Sequence, residues 1–306
     1  MDARIQEMRA LIARHKLNDH IFAIVGLSCM MIGVLMLLTA FIDLLIDGYG
    51  RLRPDFFLSF PSRRPEQAGI LSAWVGTALV MLVTMVTAVP LGVAAAIYLE
   101  EYARKNWITD LIEINVTNLA GVPSIVYGLL ALGLFVYQFG FGQSILSAGL
   151  TLALLILPIV IVSTREALRA IPRSIREAAY AVGATRWQLV SDHLLPYARG
   201  GILTGVIIGL ARAIGETAPV ITIGALTFIA FLPLDVEAPV RSLISFEWLL
   251  QPFTVLPIQM FNWVSRPEKA FHANAAAAGV VLIVMTLLMN GLAIYLRYSI
   301  RKKIKW

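Results

Sequence analysis

The sequence predicts an all-α membrane protein with six transmembrane helices and both termini on the same side. Three observations carry that prediction. Of the 306 residues, 58% are hydrophobic and only 14% are Asp, Glu, Lys or Arg, far below the roughly 25% of soluble domains. The mean hydropathy is +0.78. The charges gather in clusters between long uncharged runs, as in polytopic membrane proteins. A net charge of +6 does not point to nucleic acid, because the basic residues flank apolar runs instead of alternating with aromatics on a polar face.

Residues 1–20 read as a polar tail. Ile21 to Ile42 is then uncharged for 22 residues, enough to cross about 30 Å of hydrocarbon, so the first span is placed at 21–46. It ends at Asp43 and Asp47, an interfacial stop, and it lacks the short apolar core and cleavage site of a signal peptide, so it is expected to be retained. The single cysteine, Cys29, lies inside it, which excludes an intramolecular disulfide and a cysteine metal cluster. Residues 47–69 form a Pro- and Arg-rich loop.

Ile70 to Leu99 gives the second span, with Trp74 and Tyr98 near its ends and Pro90 as a kink. Ile114 to Thr164 is uncharged for 51 residues, too long for one crossing. It divides at Gly140, Gly142 and Gln143 into spans three and four joined by a tight turn. Gly200 to Leu234 holds only Arg212 and Glu216 and makes span five; Ala273 to Leu296 makes span six. The transmembrane domain is thus placed at 70–298, with long connections at 165–199 and 231–272 and a basic tail at 299–306. The aromatic residues of 231–272 leave two readings, a loop lying at the membrane interface or one dipping back into the protein. Six spans put both termini on one side. That side carries 17 Lys and Arg against 7 on the other, so the termini are expected in the cytoplasm.

The 165–199 connection contains two short helical patterns. Ser174 and Glu177 have capping-box spacing, predicting a helix that starts at Ser174, runs through Ala178 and Ala179 and closes at Gly183. Thr185 and Gln188 repeat the spacing, predicting a second helix from Arg186 to about Leu194, stopped by Pro196. Helices this short are marginal alone, and the pair calls for packing on something. Tyr180 and Trp187 are either anchors for a partner or aromatics tucked against this protein's own helices.

The string from Glu177 to Pro196, EAAYAVGATRWQLVSDHLLP, resembles the EAA motif of permease subunits of binding-protein-dependent ABC importers. Glu177, Ala178, Ala179, Gly183, Leu195 and Pro196 match in spacing, while His193 stands where the family has an aliphatic residue. The resemblance implies the type I ABC importer permease fold. It also implies that 165–199, with Ser174, Tyr180 and Trp187, docks into an ATPase subunit and transmits its power stroke.

Arg212 and Glu216 each cost about 2.5–3.5 kcal/mol at a helix centre on insertion scales, so they must face protein or water. Four residues apart, they share a face with Gly205 and Gly209, a stripe suited to close helix packing. One reading is a structural ion pair. The other is a translocation path in which Arg212 attracts an anion and Glu216 holds the arginine. The string ARAIGETAP, Ala211 to Pro219, resembles the signature of phosphate-importer permeases of the PstA type, in which Thr217 follows the glutamate. LPIQMFNW, Leu256 to Trp263, and Arg266-Pro267-Glu268 resemble the same group. Over residues 70–298 this resemblance implies uptake of inorganic phosphate with four kinds of partner: a PstC-like second permease, two copies of a PstB-like ATP-binding subunit, a PstS-like extracytoplasmic phosphate-binding protein, and membrane lipid.

No G-x-x-x-x-G-K-[ST] loop occurs in the chain, so ATP and Mg are expected on the partner ATPase and no cofactor on this chain; no enzymatic activity is expected of it. Rival readings are a permease for another oxyanion or a phosphonate, and a proton-coupled secondary transporter using Arg212 and Glu216. The latter is disfavoured by the lack of an inverted repeat. The four histidines have no metal-ligand spacing.

Overall fold

The structure is a computed structural model describing residues 2–234 and 244–301, and among these residues it is helical with no strand. Helix α1, Asp2–Gly48, joins the expected tail and the first span in one element of 47 residues; no Gly or Pro separates them. Its apolar residues from Leu17 to Leu38 are exposed, as suits a helix with lipid for solvent. Its far end meets the bundle, where Gly48 lies against Ala276 and Ala277. The 47–69 loop contains a short helix α2, Pro54–Leu58. Arg51 holds the loop in place by donating to Asn274 Oδ1 at 2.6 Å and to the carbonyls of Glu66 and Ala68 at 2.8 Å. Trp74 is drawn into the same corner, its indole N–H reaching the Phe57 carbonyl at 3.1 Å.

Helix α3, Leu71–Ile97, contains Pro90 and continues as a π turn, Tyr98–Tyr102. The third span is redrawn by the structure. It consists of α4, Trp107–Leu119, and α5, Ser124–Ala131, the latter extended by a π turn to Gln138, and the two arms are bent by 108°. Gly121 and Pro123 occupy the break. Hydropathy does not register it, because the break itself carries no charge. The second arm, Ser124–Gln138, reaches about 22 Å, short of the about 30 Å of hydrocarbon. Gly140 and Gly142, at φ 70° and 67°, then make the expected turn into α6, Ile145–Arg169.

Two short helices, α7, Arg173–Ala181, and α8, Arg186–Gln188, follow. From α8 the chain runs through a π stretch, Leu189–Leu194, into α9, Leu195–Gly215. Pro196 therefore does not stop the second helix as expected. It sits in the first turn of α9, and the π register of the preceding turn redistributes the bonds its missing N–H would have disrupted. Span five also ends early, at Gly215, and is followed by α10, Ala218–Ile223. Helices α11, Leu256–Val264, and α12, Ala270–Arg301, complete the fold.

The core lies between α3, α6 and α9. Gly205 of α9 abuts Ser163 of α6 so closely that a Cβ would overlap it, and one at Gly209 would lie 3.4 Å from Ile156, so the glycine stripe packs as expected. Of the two readings of 231–272, the stretch around 248–263 dips back in part. Trp248, Phe253, Val255, Leu256 and Trp263 are each 4% exposed or less, while Phe246 and Phe261 stay exposed. The Leu256 N–H donates to Thr77 Oγ1 at 2.9 Å, and the Ile145 N–H to the Gln251 carbonyl at 3.2 Å. Residues 235–243 of this loop, and the end of the basic tail beyond 301, lie outside the described residues.

Candidate functional site

Two places concentrate polar chemistry in this apolar bundle. The first is the 165–199 segment. Helix α7 is amphipathic and buries only Ala179. Ser174 does not start it: the N-cap is Pro172 and no side chain caps the helix. Proline fixes φ in its own favour there, so Arg173 is already helical, and Ser174 and Glu177 point to solvent. The helix closes as expected, with Gly183 at φ 85° and the Ala184 N–H reaching the Ala179 carbonyl at 3.0 Å. The Thr185–Gln188 capping box is present in both directions. Ala178, Tyr180 and Trp187 are exposed, the aromatics at 48% and 66%, which goes against their being tucked into the bundle. Leu195 and Pro196 are half-buried and belong to the root of α9. The structure thus displays Glu177, Ala178, Tyr180, Gly183 and Trp187 outward and uses Ala179 and Leu195 as packing anchors.

Beneath this surface lies an ionic network that the sequence reading missed. Arg165, 5% exposed, pairs with Glu113 of α4 and lies 3.6 Å from Glu100 of the π turn. Arg169 reaches Glu100 at 2.9 Å, and Arg176 of α7 reaches Glu101 at 2.8 Å. A cavity of about 980 Å³ opens beside it, between α4 and α7, with Glu177 and Tyr180 on its wall. The arginines were counted in the sequence only as topology determinants. The one available signal was their helical spacing opposite the adjacent acids Glu100 and Glu101. Sequence carries no register between helices some seventy residues apart.

The second place is the end of α9. Arg212 and Glu216 do pair, Nε to Oε1 at 3.4 Å, yet they do not share a helix. Glu216 is the extended C-cap, φ −74° and ψ 125°, and Thr217 occupies the N-cap of α10 without a side-chain cap bond. Pro219 two residues on fits the first turn of a new helix, and Gly128 of α5 packs tightly against Pro219 and Thr222, which fixes the break. The Glu216 side chain, 19% exposed, borders a small void with Thr77 and Met81 of α3 and Leu152 of α6. The Arg212 side chain is 37% exposed, and its terminal N–H groups have no hydrogen-bond partner among the described residues. Chemically this is a cation held in place by one carboxylate, with the planar donor fork left open.

Residues 88–305 match the family described as binding-protein-dependent transport system inner membrane component. The phosphate transport system permease protein PstA of Yersinia pestis is 32% identical over 302 residues, covering 95% of this chain and 94% of its own. The probable ABC transporter permease protein YqgI of Bacillus subtilis is 29% identical over 284 residues, covering 90% and 94%. The crystal structure of a bacterial alginate ABC transporter in complex with a periplasmic protein has a chain of the same fold, with a TM-score of 0.61 at 14% identity over 90% of this chain and 93% of that one. Carrying this fold, with apolar helices long enough for a multi-pass membrane protein, and similar to PstA proteins over most of its length, the chain belongs to the binding-protein-dependent transport system inner membrane component family and is an ABC importer permease, a translocation subunit.

Proposed function

We propose that this chain passes inorganic phosphate across the plasma membrane in an ATP-driven importer. The observation that carries the reading is the open guanidinium fork of Arg212 at the break after α9. A planar fork suits two oxygens of a tetrahedral oxyanion, and a charge this costly inside a membrane is retained for function by default. Glu216 orients Arg212 and keeps the empty path near neutral, and Thr217 offers a hydroxyl at the same break. The PstA relatives support phosphate over another oxyanion or a phosphonate. The fold does not help in that choice, since it also serves a transporter of alginate.

In this reading a PstC-like permease completes the path and a PstS-like protein delivers phosphate. Of two PstB-like subunits carrying ATP and Mg, one docks on the surface formed by Glu177, Ala178, Tyr180, Gly183 and Trp187. That surface is cytoplasmic, as are both termini, following the excess of basic residues. Cysteines at Arg301 and at Glu268 should therefore be labelled from opposite sides of the membrane; labelling from one side would overturn this orientation.

Phosphate uptake tests the path. Arg212→Lys keeps the charge and loses the fork, whereas Arg212→Gln loses both, so both variants should assemble with the ATPase and take up less phosphate, Gln the less of the two. Were the pair only structural, Arg212→Gln would deplete the complex, and Arg212→Gln combined with Glu216→Gln would restore full uptake.

A further inference from the structure

Helix α7 is joined by the chain itself to α6 through residues 170–172 and to α9 through 182–194. No covalent route of comparable length leads from it to α3, 75 residues away in sequence at the nearest contact. That contact is ionic and nearly dry, with the Arg176 and Glu101 side chains only 18% and 10% exposed. Arg176 Nε and Nη2 both donate to Glu101 Oε1, at 3.1 and 2.8 Å. Its remaining donors reach the Ile171 carbonyl at 2.9 Å and the Leu168 carbonyl at 3.0 Å. One side chain thus grips the end of α3, the end of α6 and the bend between α6 and α7. The π turn Tyr98–Tyr102 makes this possible by placing two adjacent acids in separate grips, Glu100 on Arg165 and Arg169, Glu101 on Arg176.

We propose that Glu101 and Arg176 form a strut that makes the end of α3 move as one body with α7. This rests on the reading of 165–199 as the ATPase-docking segment. A push on α7 reaches α6 and α9 through the backbone and α3 through this pair. Because α3 carries Thr77 and Met81 beside Glu216, the strut gives the docking surface a direct link to the wall of the path, beside the indirect one through α6. An Arg–carboxylate contact with four of the five guanidinium N–H groups bonded and little water resists shear far better than an exposed pair, whose partners exchange freely with solvent.

The test uses the full importer, reconstituted with its ATPase and binding protein, in a Cys29→Ser background, because Cys29 is exposed. Spin labels at the exposed positions Tyr98 and Val182 report the distance between α3 and α7, and a photocrosslinker at Tyr180 reports docking separately. With the strut intact, that distance should be the same in the nucleotide-free and ATP-trapped states. Arg176→Gln should let it change between states while the ATPase still co-purifies, and the phosphate transported per ATP hydrolysed should fall about fivefold. Arg176→Lys, which keeps one charged donor, should fall between the two. A distance that changes with nucleotide in the intact protein would overturn the strut, as would Arg176→Gln with an unchanged distance and normal coupling. Loss of the ATPase from Arg176→Gln would overturn it too, by making Arg176 part of the docking surface. No ATPase adduct at Tyr180 would overturn the docking reading and the strut together; an adduct alongside a failed distance test would overturn the strut alone.

Discussion

The two ionic places in this protein use the same residue types to opposite ends. Around the 165–199 segment, Arg165, Arg169 and Arg176 meet Glu100, Glu101 and Glu113 from four separate elements. Arg165 is almost completely enclosed, and Arg176 makes four hydrogen bonds. At the end of α9, Arg212 meets one glutamate four residues away at 3.4 Å and keeps its terminal donors open. In the roles proposed above, a densely paired and enclosed network holds helices together, and a sparsely paired arginine at a helix break keeps binding capacity. Burial and the number of partners, rather than charge, distinguish the two arrangements.

The comparison is most exposed to the removal of one arginine from each place. Arg165→Gln leaves Glu100 and Glu113 with the half-exposed Arg169 alone and should cost about 2 kcal/mol, read as a clear drop in the melting temperature of the detergent-solubilised protein. Arg212→Gln deletes the same charge but should cost under about 1 kcal/mol, leaving that temperature almost unmoved while uptake falls. Equal thermal losses would erase the distinction between the two places.

The docking surface can be separated from the network below it. Glu177→Lys reverses an exposed charge, and Gly183→Pro forbids the φ of 85° at the turn. Both should insert normally and lose transport, with ATP hydrolysis no longer stimulated by the binding protein; unchanged uptake together with unchanged ATPase co-purification would refute a docking role. The smallest effect distinguishes two capping positions that look alike in sequence. Thr185→Ala removes a cap that forms and should cost about 1 kcal/mol. Ser174→Ala removes a side chain that caps nothing and should stay within about 0.5 kcal/mol. Equal losses in a thermal melt would contradict the cap at Pro172.

Much of the fold was legible because bilayer thickness and backbone hydrogen bonding leave few options. Uncharged runs gave α3, α6 and α12 nearly to their ends, and the glycines at 140, 142 and 183 marked turns that only a positive φ can make. The breaks in spans three and five were missed. Gly121-Val122-Pro123 and Glu216-Thr217-Ala218-Pro219 lie in otherwise apolar or sparsely charged runs, and an average over hydropathy passes through them. Ser174 was misread because a capping pattern competes with a proline two residues earlier, and the proline fixes the backbone first.

By itself the sequence determined the helical class, the number of apolar runs and the two charges that could not face lipid. Each follows from local physics: transfer cost, dihedral preference, or spacing along one helix. Only the tertiary structure decided that 251–258 folds back into the core, that Glu216 leaves its helix, and that Glu100, Glu101 and Glu113 find Arg165, Arg169 and Arg176. Those are agreements of register between distant segments, set by how close Gly205 lets α9 approach α6 and by where the chain bends at 120–123. No single stretch of sequence contains that information.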